Sequence, residues 1–422
     1  MLRESVVQQN PQWQGVNLSP VFEKRRKLFG RLWEERELKL MSYVTGPRRG
    51  GKSVLLRQIV NELLNADKIS PRQILWYEFE VGDNKEKIRE VFDFFWTEIA
   101  DTGRKAYVFW DEIQYAHGYE TVVKHLYDLY EGKVKFFLTG SLSLWYKRKI
   151  QESMAGRYLP YRLFPLSFEE YLDLGNFGEL GDYQKMMEED KEGIRNGLTG
   201  KLTPVFRQFL RSGRFPELIN LPEGARDLYL DTLVNGALNQ DAFGYFDIRR
   251  PGELVSLYEY LRLNSGGIIS VAKLAERASA KTISAYLEIL EAMGLVYFVY
   301  NSTDPLIRAN VIRKAYVNSA LFLRETKLDP VTSTGLAVES YVLERLLERG
   351  EDPVTFWRRR NDEVDFLLPR KKLAYEVKFR GEMGGLVKLI RFGEQKKFDL
   401  VVATLNKWGK EKGIEYIPAC AF

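Results

Sequence analysis

Apolar residues fall into two rhythms along the first 160 positions, and the rhythms alternate. Short, mostly apolar stretches over 38–45, 74–80, 106–111 and 134–139 predict buried strands. Between the first two, Val54, Leu55, Leu56, Ile59, Val60, Leu63 and Leu64 recur at helical spacing and predict a helix to about residue 65. Similar spacing predicts helices over 85–100 and 119–130. Strand and helix in turn predict an α/β domain, a parallel sheet between helices, with ligands bound at the carboxyl ends of the strands.

The rhythm then changes. From 167 to about 242 it is helical, interrupted over 175–200 by a charged stretch read as a solvated insertion with no site in it. Residues 270–276 and 281–294 predict two short helices with Gly294 as a stop, followed by a strand over 295–300, the layout of a winged helix-turn-helix. Further on come a helix over 336–349, a strand over 363–368, a turn and a return strand over 373–379. The resulting division is a polar leader 1–21, an α/β core 22–166, a helical lid 167–245, a winged helix 246–325 and a terminal α/β domain 331–422.

A chain of 422 residues exceeds what one core organises, and 45% hydrophobic content is ample for several. Net charge is +5, a slight lean toward polyanions. The single cysteine, Cys420, excludes an intramolecular disulfide, and with only two histidines no structural zinc site is expected. The first 15 residues lack an apolar core, and no apolar run reaches 18 residues, so a cytoplasmic protein without a membrane span is expected.

Chemistry enters at Gly46, Pro47, Arg48, Arg49, Gly50, Gly51, Lys52 and Ser53, which match the phosphate-binding pattern GxxxxGK[ST] between a strand and a helix. Glycines there let backbone N–H groups approach phosphate oxygens, Lys52 reaches the β- and γ-phosphates, Ser53 ligates Mg²⁺, and Val54 continues into the helix whose N-terminus favours the anion. The strand over 106–111 ends in Asp111 and Glu112, a Walker B pattern: Asp111 would hold the Mg²⁺ shell and Glu112 would orient the attacking water. The same two acids would also suit a helix start. The strand over 134–139 runs into Ser141, the candidate sensor of the γ-phosphate.

Together GPRRGGKS, FWDEIQ, LTGSLS, the Ala155-Gly156-Arg157 triplet and FPLSFEEY (164–171) resemble the archaeal AAA-type ATPases grouped with the STAND nucleotide switches. Members read GPRRVGKT at the loop, so Gly50 departs from the pattern without removing a ligand. The resemblance implies ATP and Mg²⁺ as cofactors, Arg157 near the nucleotide with a catalytic role, and Pro216 of the Gly213-to-Glu217 element near the adenine. It also implies that a winged helix and a PD-(D/E)xK nuclease-like domain follow.

Read residue by residue, Lys281, Thr282 and Ser284 open the second short helix and would face DNA, although Glu288 and Glu291 on the same helix disfavour a phosphate surface. Glu339, Asp365, Glu376 and Lys378 match the nuclease pattern in which acids hold Mg²⁺ and a lysine assists water. The sequence departs from relatives over 317–321, where they show aspartate and glycine. The expected function is therefore a Mg²⁺-dependent ATPase acting on or regulated by DNA. Two alternatives stay open, a slow nucleotide switch that binds a protein with an inactive nuclease-like domain, and an ATP-gated nuclease. Partners are ATP, with DNA, another protein or further copies of the chain as the remaining candidates, and no membrane.

Overall fold

The computed structural model describes residues 2–16, 24–140, 154–175, 177, 192–211, 214–242, 246, 248, 250–274, 279–302, 313–322, 330–350, 353–378 and 386–422. They divide into two compact units, Met1–Leu163 and Phe164–Phe422.

The first unit runs α1 (Leu2–Gln9), α2 (Leu28–Glu34), β1 (Met41–Thr45), α3 (Lys52–Asn65), β2 (Ile74–Glu78), α4 (Lys85–Phe94), β3 (Ala106–Asp111), α5 (Tyr119–Leu129), β4 (Val134–Gly140) and β5 (Tyr158–Arg162). Its five strands are all parallel, in the order β2-β3-β4-β1-β5. Alternation decides the faces: Val108, Trp110, Phe136 and Leu138 pack with Ile88, Phe92 and Val123 on one side. Phe109 and Phe137 pack with Leu55, Ile59 and Leu63 on the other. The helix expected over 85–100 is α-helical to Phe94 and closes in a wider π turn, Phe95–Ile99.

The expected polar leader is structured where it is described. Val6 is fully buried, and the side chains after it take the place of a strand along the edge of β2. The Asn10 amide donates to Trp76 O (2.8 Å) and accepts from Trp76 N (2.7 Å). Gln9 Oε1 accepts from Glu78 N (2.7 Å), and Trp13 Nε1 donates to Ile74 O (2.8 Å). Amide side chains carry a donor and an acceptor each, so they satisfy an edge strand as a neighbouring backbone would.

The second unit contains α6 (Phe168–Leu174), α7 (Glu192–Arg211), α8 (Glu223–Gly236), α9 (Pro251–Leu263), β6 (Ile268–Ile269), α10 (Val271–Leu274), α11 (Ala280–Ala292), β7 (Val296–Asn301), β8 (Arg313–Val317), α12 (Ser319–Phe322) and α13 (Pro330–Glu348). After them come β9 (Thr355–Arg359), β10 (Asp362–Leu368), β11 (Leu373–Lys378), α14 (Val387–Lys396), β12 (Asp399–Thr404), β13 (Gly409–Glu411) and β14 (Ile414–Pro418). The charged insertion expected over 175–200 is helical from Glu192 on, and Thr199 is buried, its hydroxyl accepting from Trp408 Nε1 at 2.8 Å.

Strands from the stretches read as separate modules, 246–325 and 331–422, lie in one nine-stranded sheet, β13-β14-β12-β11-β10-β9-β7-β8-β6. The two parts meet at a parallel seam, where among the described residues β7 pairs with β9 at Tyr300↔Thr355 and Asn301↔Phe356. Elsewhere in this unit Arg214, fully buried, pairs with Glu344 and bonds Ser319 and Leu166 O (2.7 Å). A buried pair of this kind holds only when its remaining donors and acceptors are met, as they are here.

Candidate functional site

At the carboxyl end of β1 the chain turns through the phosphate-binding pattern. Gly46 is forced: a Cβ there would lie 2.5 Å from the carbonyl oxygen of Leu163. Gly51 takes a φ of 93° immediately before α3 and turns the helix N-terminus onto the loop. Arg49 also adopts a left-handed backbone, φ 58°, and the Arg48 and Arg49 side chains are exposed. Buried Arg26 donates to Gly50 O at 2.7 Å, a tether from outside the pattern.

The Lys52 ammonium is buried under this loop and donates to Gly46 O (3.3 Å) and Pro47 O (3.2 Å), with Glu112 Oε1 at 3.8 Å. Asp111 is fully buried at the end of β3. Burial pushes its carboxyl above the usual range, against the opposing pull of the Ser53 hydroxyl, the Thr139 hydroxyl and Lys52. Its Oδ2 is buried and accepts no hydrogen bond among the described residues. A buried carboxylate oxygen left open beside a serine hydroxyl fits a hard cation that needs one protein acid and a hydroxyl. Ser53 and Asp111 are thus the residues that would hold Mg²⁺.

Glu112 sits on a left-handed backbone (φ 50°, ψ 41°), which turns its side chain away from the strand direction. Gln114 Nε2 donates to its Oε2, and its own N–H donates to Thr139 Oγ1 at 2.9 Å. Thr139 also donates to Asp111 Oδ1, so one hydroxyl touches both halves of the acidic pair. The sequence reading passed over Thr139, Gln114 and Arg26. Ser141, two residues beyond Thr139, lies outside the described residues.

Arg157 is a correction. Its carbonyl accepts from Met41 N at 2.9 Å, which puts it at the amino end of β1, opposite the phosphate loop. Its guanidinium is held by Asp128 at 2.7 and 3.1 Å. Within its unit it does not reach the nucleotide end of the sheet. Pro216 belongs to the second unit, where it opens the one-turn helix Pro216–Ile219. Lys281 is exposed at the start of α11, while Thr282 and Ser279 cap that helix, Thr282 N donating to Ser279 Oγ at 3.1 Å. Ser284 is half-buried on the next turn.

The second constellation comes together. Asp365 Oδ2 accepts from Val377 N (3.0 Å), the residue after Glu376, and Lys378 pairs with Glu376 Oε1 at 2.7 Å. Tyr316 donates to Glu339 Oε1 at 2.7 Å. Burial, with Asp365 nearby, raises both Glu339 and Glu376 to about 7. Unforeseen from the sequence is Lys314 on β8, buried within 4.0 Å of Glu339, 3.6 Å of Asp365 and 2.5 Å of Glu363. Among the described residues no group of three or more His, Cys, Asp or Glu is arranged to hold a metal ion. Nor is any described helix long and apolar enough to cross a membrane.

Comparison with known proteins agrees with the first unit. An AAA domain matches residues 39–172, and a domain of unknown function (DUF8612) matches 203–318. The uncharacterized protein MJ1544 of Methanocaldococcus jannaschii is 25% identical over 387 residues, covering 88% of this chain and 76% of that one. Protein MJ1637 of the same organism is 31% identical over 385 residues, covering 83% and 72%. Among solved structures, the Aeropyrum pernix Orc1 protein in complex with DNA matches 78% of this chain and 95% of its own at 12% identity and a TM-score of 0.35. The chain belongs to the family of which MJ1637 is a member, and its first unit is an ATP-binding P-loop domain of the AAA type.

Proposed function

We propose that the chain is a Mg²⁺-dependent ATPase whose turnover is coupled to DNA. The observation that carries this is the buried Asp111, flanked by Ser53 and Thr139 and followed by Glu112, directly beside Lys52. Mg²⁺, when bound, neutralises phosphate charge. The backbone N–H groups of Arg48 to Val54 and the Lys52 ammonium hold the phosphates, and Lys52 has loop carbonyls to leave when an anion arrives. Glu112 supplies the carboxylate that orients water and accepts its proton, a contribution of about 10² to 10⁴ in rate. Gln114, bonded to that carboxylate, sets its direction.

Coupling to DNA draws support from the helix–strand–helix–helix–strand–strand order from α9 to β8, which suits a winged helix, with exposed Lys281 at the head of α11. A second reading, a slow switch that grips a protein and cuts nothing, is favoured by the lysines lodged against Asp365 and Glu376.

Phosphate release by the pure chain, with and without duplex and single-stranded DNA over a range of salt, tests the proposal. Expected are turnover that Lys52→Ala abolishes together with ATP binding, turnover that Glu112→Gln removes while binding persists, and stimulation by DNA that fades as salt rises. Undiminished hydrolysis by Glu112→Gln would overturn its role. Turnover indifferent to DNA at low salt would favour the switch.

A further inference from the structure

A lysine inside a strand of buried residues is costly unless its charge is met. Lys314 is 3% exposed, and its strand neighbours Ala315, Tyr316 and Val317 are fully buried. Its ammonium crosses from β8 to two acids of β10, Glu363 Oε1 at 2.5 Å and Asp365 Oδ1 at 3.6 Å, and reaches Glu339 Oε1 of α13 at 4.0 Å. The rings of Phe356 and Tyr316, 5.5 and 5.9 Å from the ammonium, line its other sides.

The nuclease-like resemblance implies a divalent ion at Asp365, Glu376 and Glu339, and the residues present do not fit one. Both oxygens of Asp365 face protein groups, Lys314 on one and the Val377 N–H on the other. Glu376 Oε1 is taken by Lys378 and Glu339 Oε1 by Tyr316. Only Glu376 Oε2 is buried with no hydrogen-bond partner among the described residues. Mg²⁺ requires oxygens at about 2.0–2.1 Å in near-octahedral array. Here the space facing Asp365, Glu363 and Glu339 is taken by a positive charge belonging to the chain.

We propose that the Lys314 ammonium is the resident cation of this acidic cluster, in the place of a divalent metal, so that the wild-type chain takes no Mg²⁺ or Mn²⁺ there and the cluster becomes a metal site only when Lys314 is replaced. The cluster then serves as a charged rivet between β8, β10 and α13, and the lysine is the residue that separates a binding module from a nuclease. This inference does not depend on the ATPase reading, since its test omits nucleotide.

The full chain without nucleotide is titrated with Mn²⁺ by calorimetry and by electron paramagnetic resonance of the free ion, as wild type, Asp365→Asn, Lys314→Met and the double variant. Expected is no Asp365-dependent binding in wild type. Lys314→Met should gain one Mn²⁺ site about tenfold or more tighter than any in wild type, and Asp365→Asn should abolish that gain. A folded Lys314→Met protein, judged by its circular dichroism melt, that gains no site overturns the proposal. Should Lys314→Met not fold, the wild-type arm decides. Mn²⁺ binding that Asp365→Asn removes, or Mg²⁺-dependent DNA nicking with the same sensitivity, overturns the proposal, and absence of both supports it.

Discussion

Thr139 donates its hydroxyl hydrogen to the Asp111 carboxylate and accepts the Glu112 backbone N–H on its hydroxyl oxygen, so one side chain holds the Asp111 acid and the backbone turn that carries Glu112. Thr139→Val keeps the shape and removes both bonds. A hydrogen bond to a charged group is worth about 1.5–3 kcal/mol, so turnover should fall roughly 10- to 150-fold, with Thr139→Ser restoring most of it in the same phosphate-release assay. Thr139 itself carried no signal in the sequence, where a threonine ending a strand reads as an ordinary β-former. Lys135 offers a separate test. Its ammonium is buried and donates to Leu40 O at 2.5 Å, and burial lowers it to about 8. Its folded value lies below the unfolded one, so between about pH 8 and 10.5 the unfolded chain binds the extra proton and stability contributed at this site rises with pH. Denaturant melts across that window should show Lys135→Met losing this upward slope, at most about 3 kcal/mol overall.

At the scale of elements, the leader tests whether side chains can stand in for a strand. Asn10→Ala leaves the Trp76 N–H and carbonyl without their partner in a buried place, at a cost of about 1–3 kcal/mol, read as a lower urea midpoint. Removing residues 1–14 should leave the β2 edge open and increase aggregation measured by light scattering. β1 to β4 and α3 to α5 were legible because each carries an apolar rhythm that burial enforces, and β3 falls at 106–111 as its pattern requires, whereas α2 and the largely part-exposed β5 were not predicted. The leader was not legible: Gln9, Asn10 and Gln12 look solvated in sequence, and their role depends on a strand more than 60 residues away. The helix over 192–200 was hidden by its charge and glycine, and Thr199 is held by Trp408, far along the chain. Lys314 carried no local signal, since a single lysine in a strand ordinarily faces water.

At the scale of the molecule, the AAA-type unit and the larger unit each enclose their own apolar clusters. ATP with Mg²⁺ at 100 times its dissociation constant should stabilise residues 1–163 by about 2.7 kcal/mol. In hydrogen exchange that protection should centre on 46–54 and 111–114, and Lys52→Ala should erase it. The chain divides into its two units after Leu163. That β6 to β8 share a sheet with β9 to β14 was not legible in the sequence, because pairing between distant strands leaves no periodic mark. Among the described residues the seam between β7 and β9 joins that sheet through two strand pairs and the Ser302 N–H on Phe356 O, and the Lys314 ammonium spans it from β8 to β10. Pulled apart in an optical trap, the larger unit should therefore rip first along this line, and at a lower force once the lysine is gone.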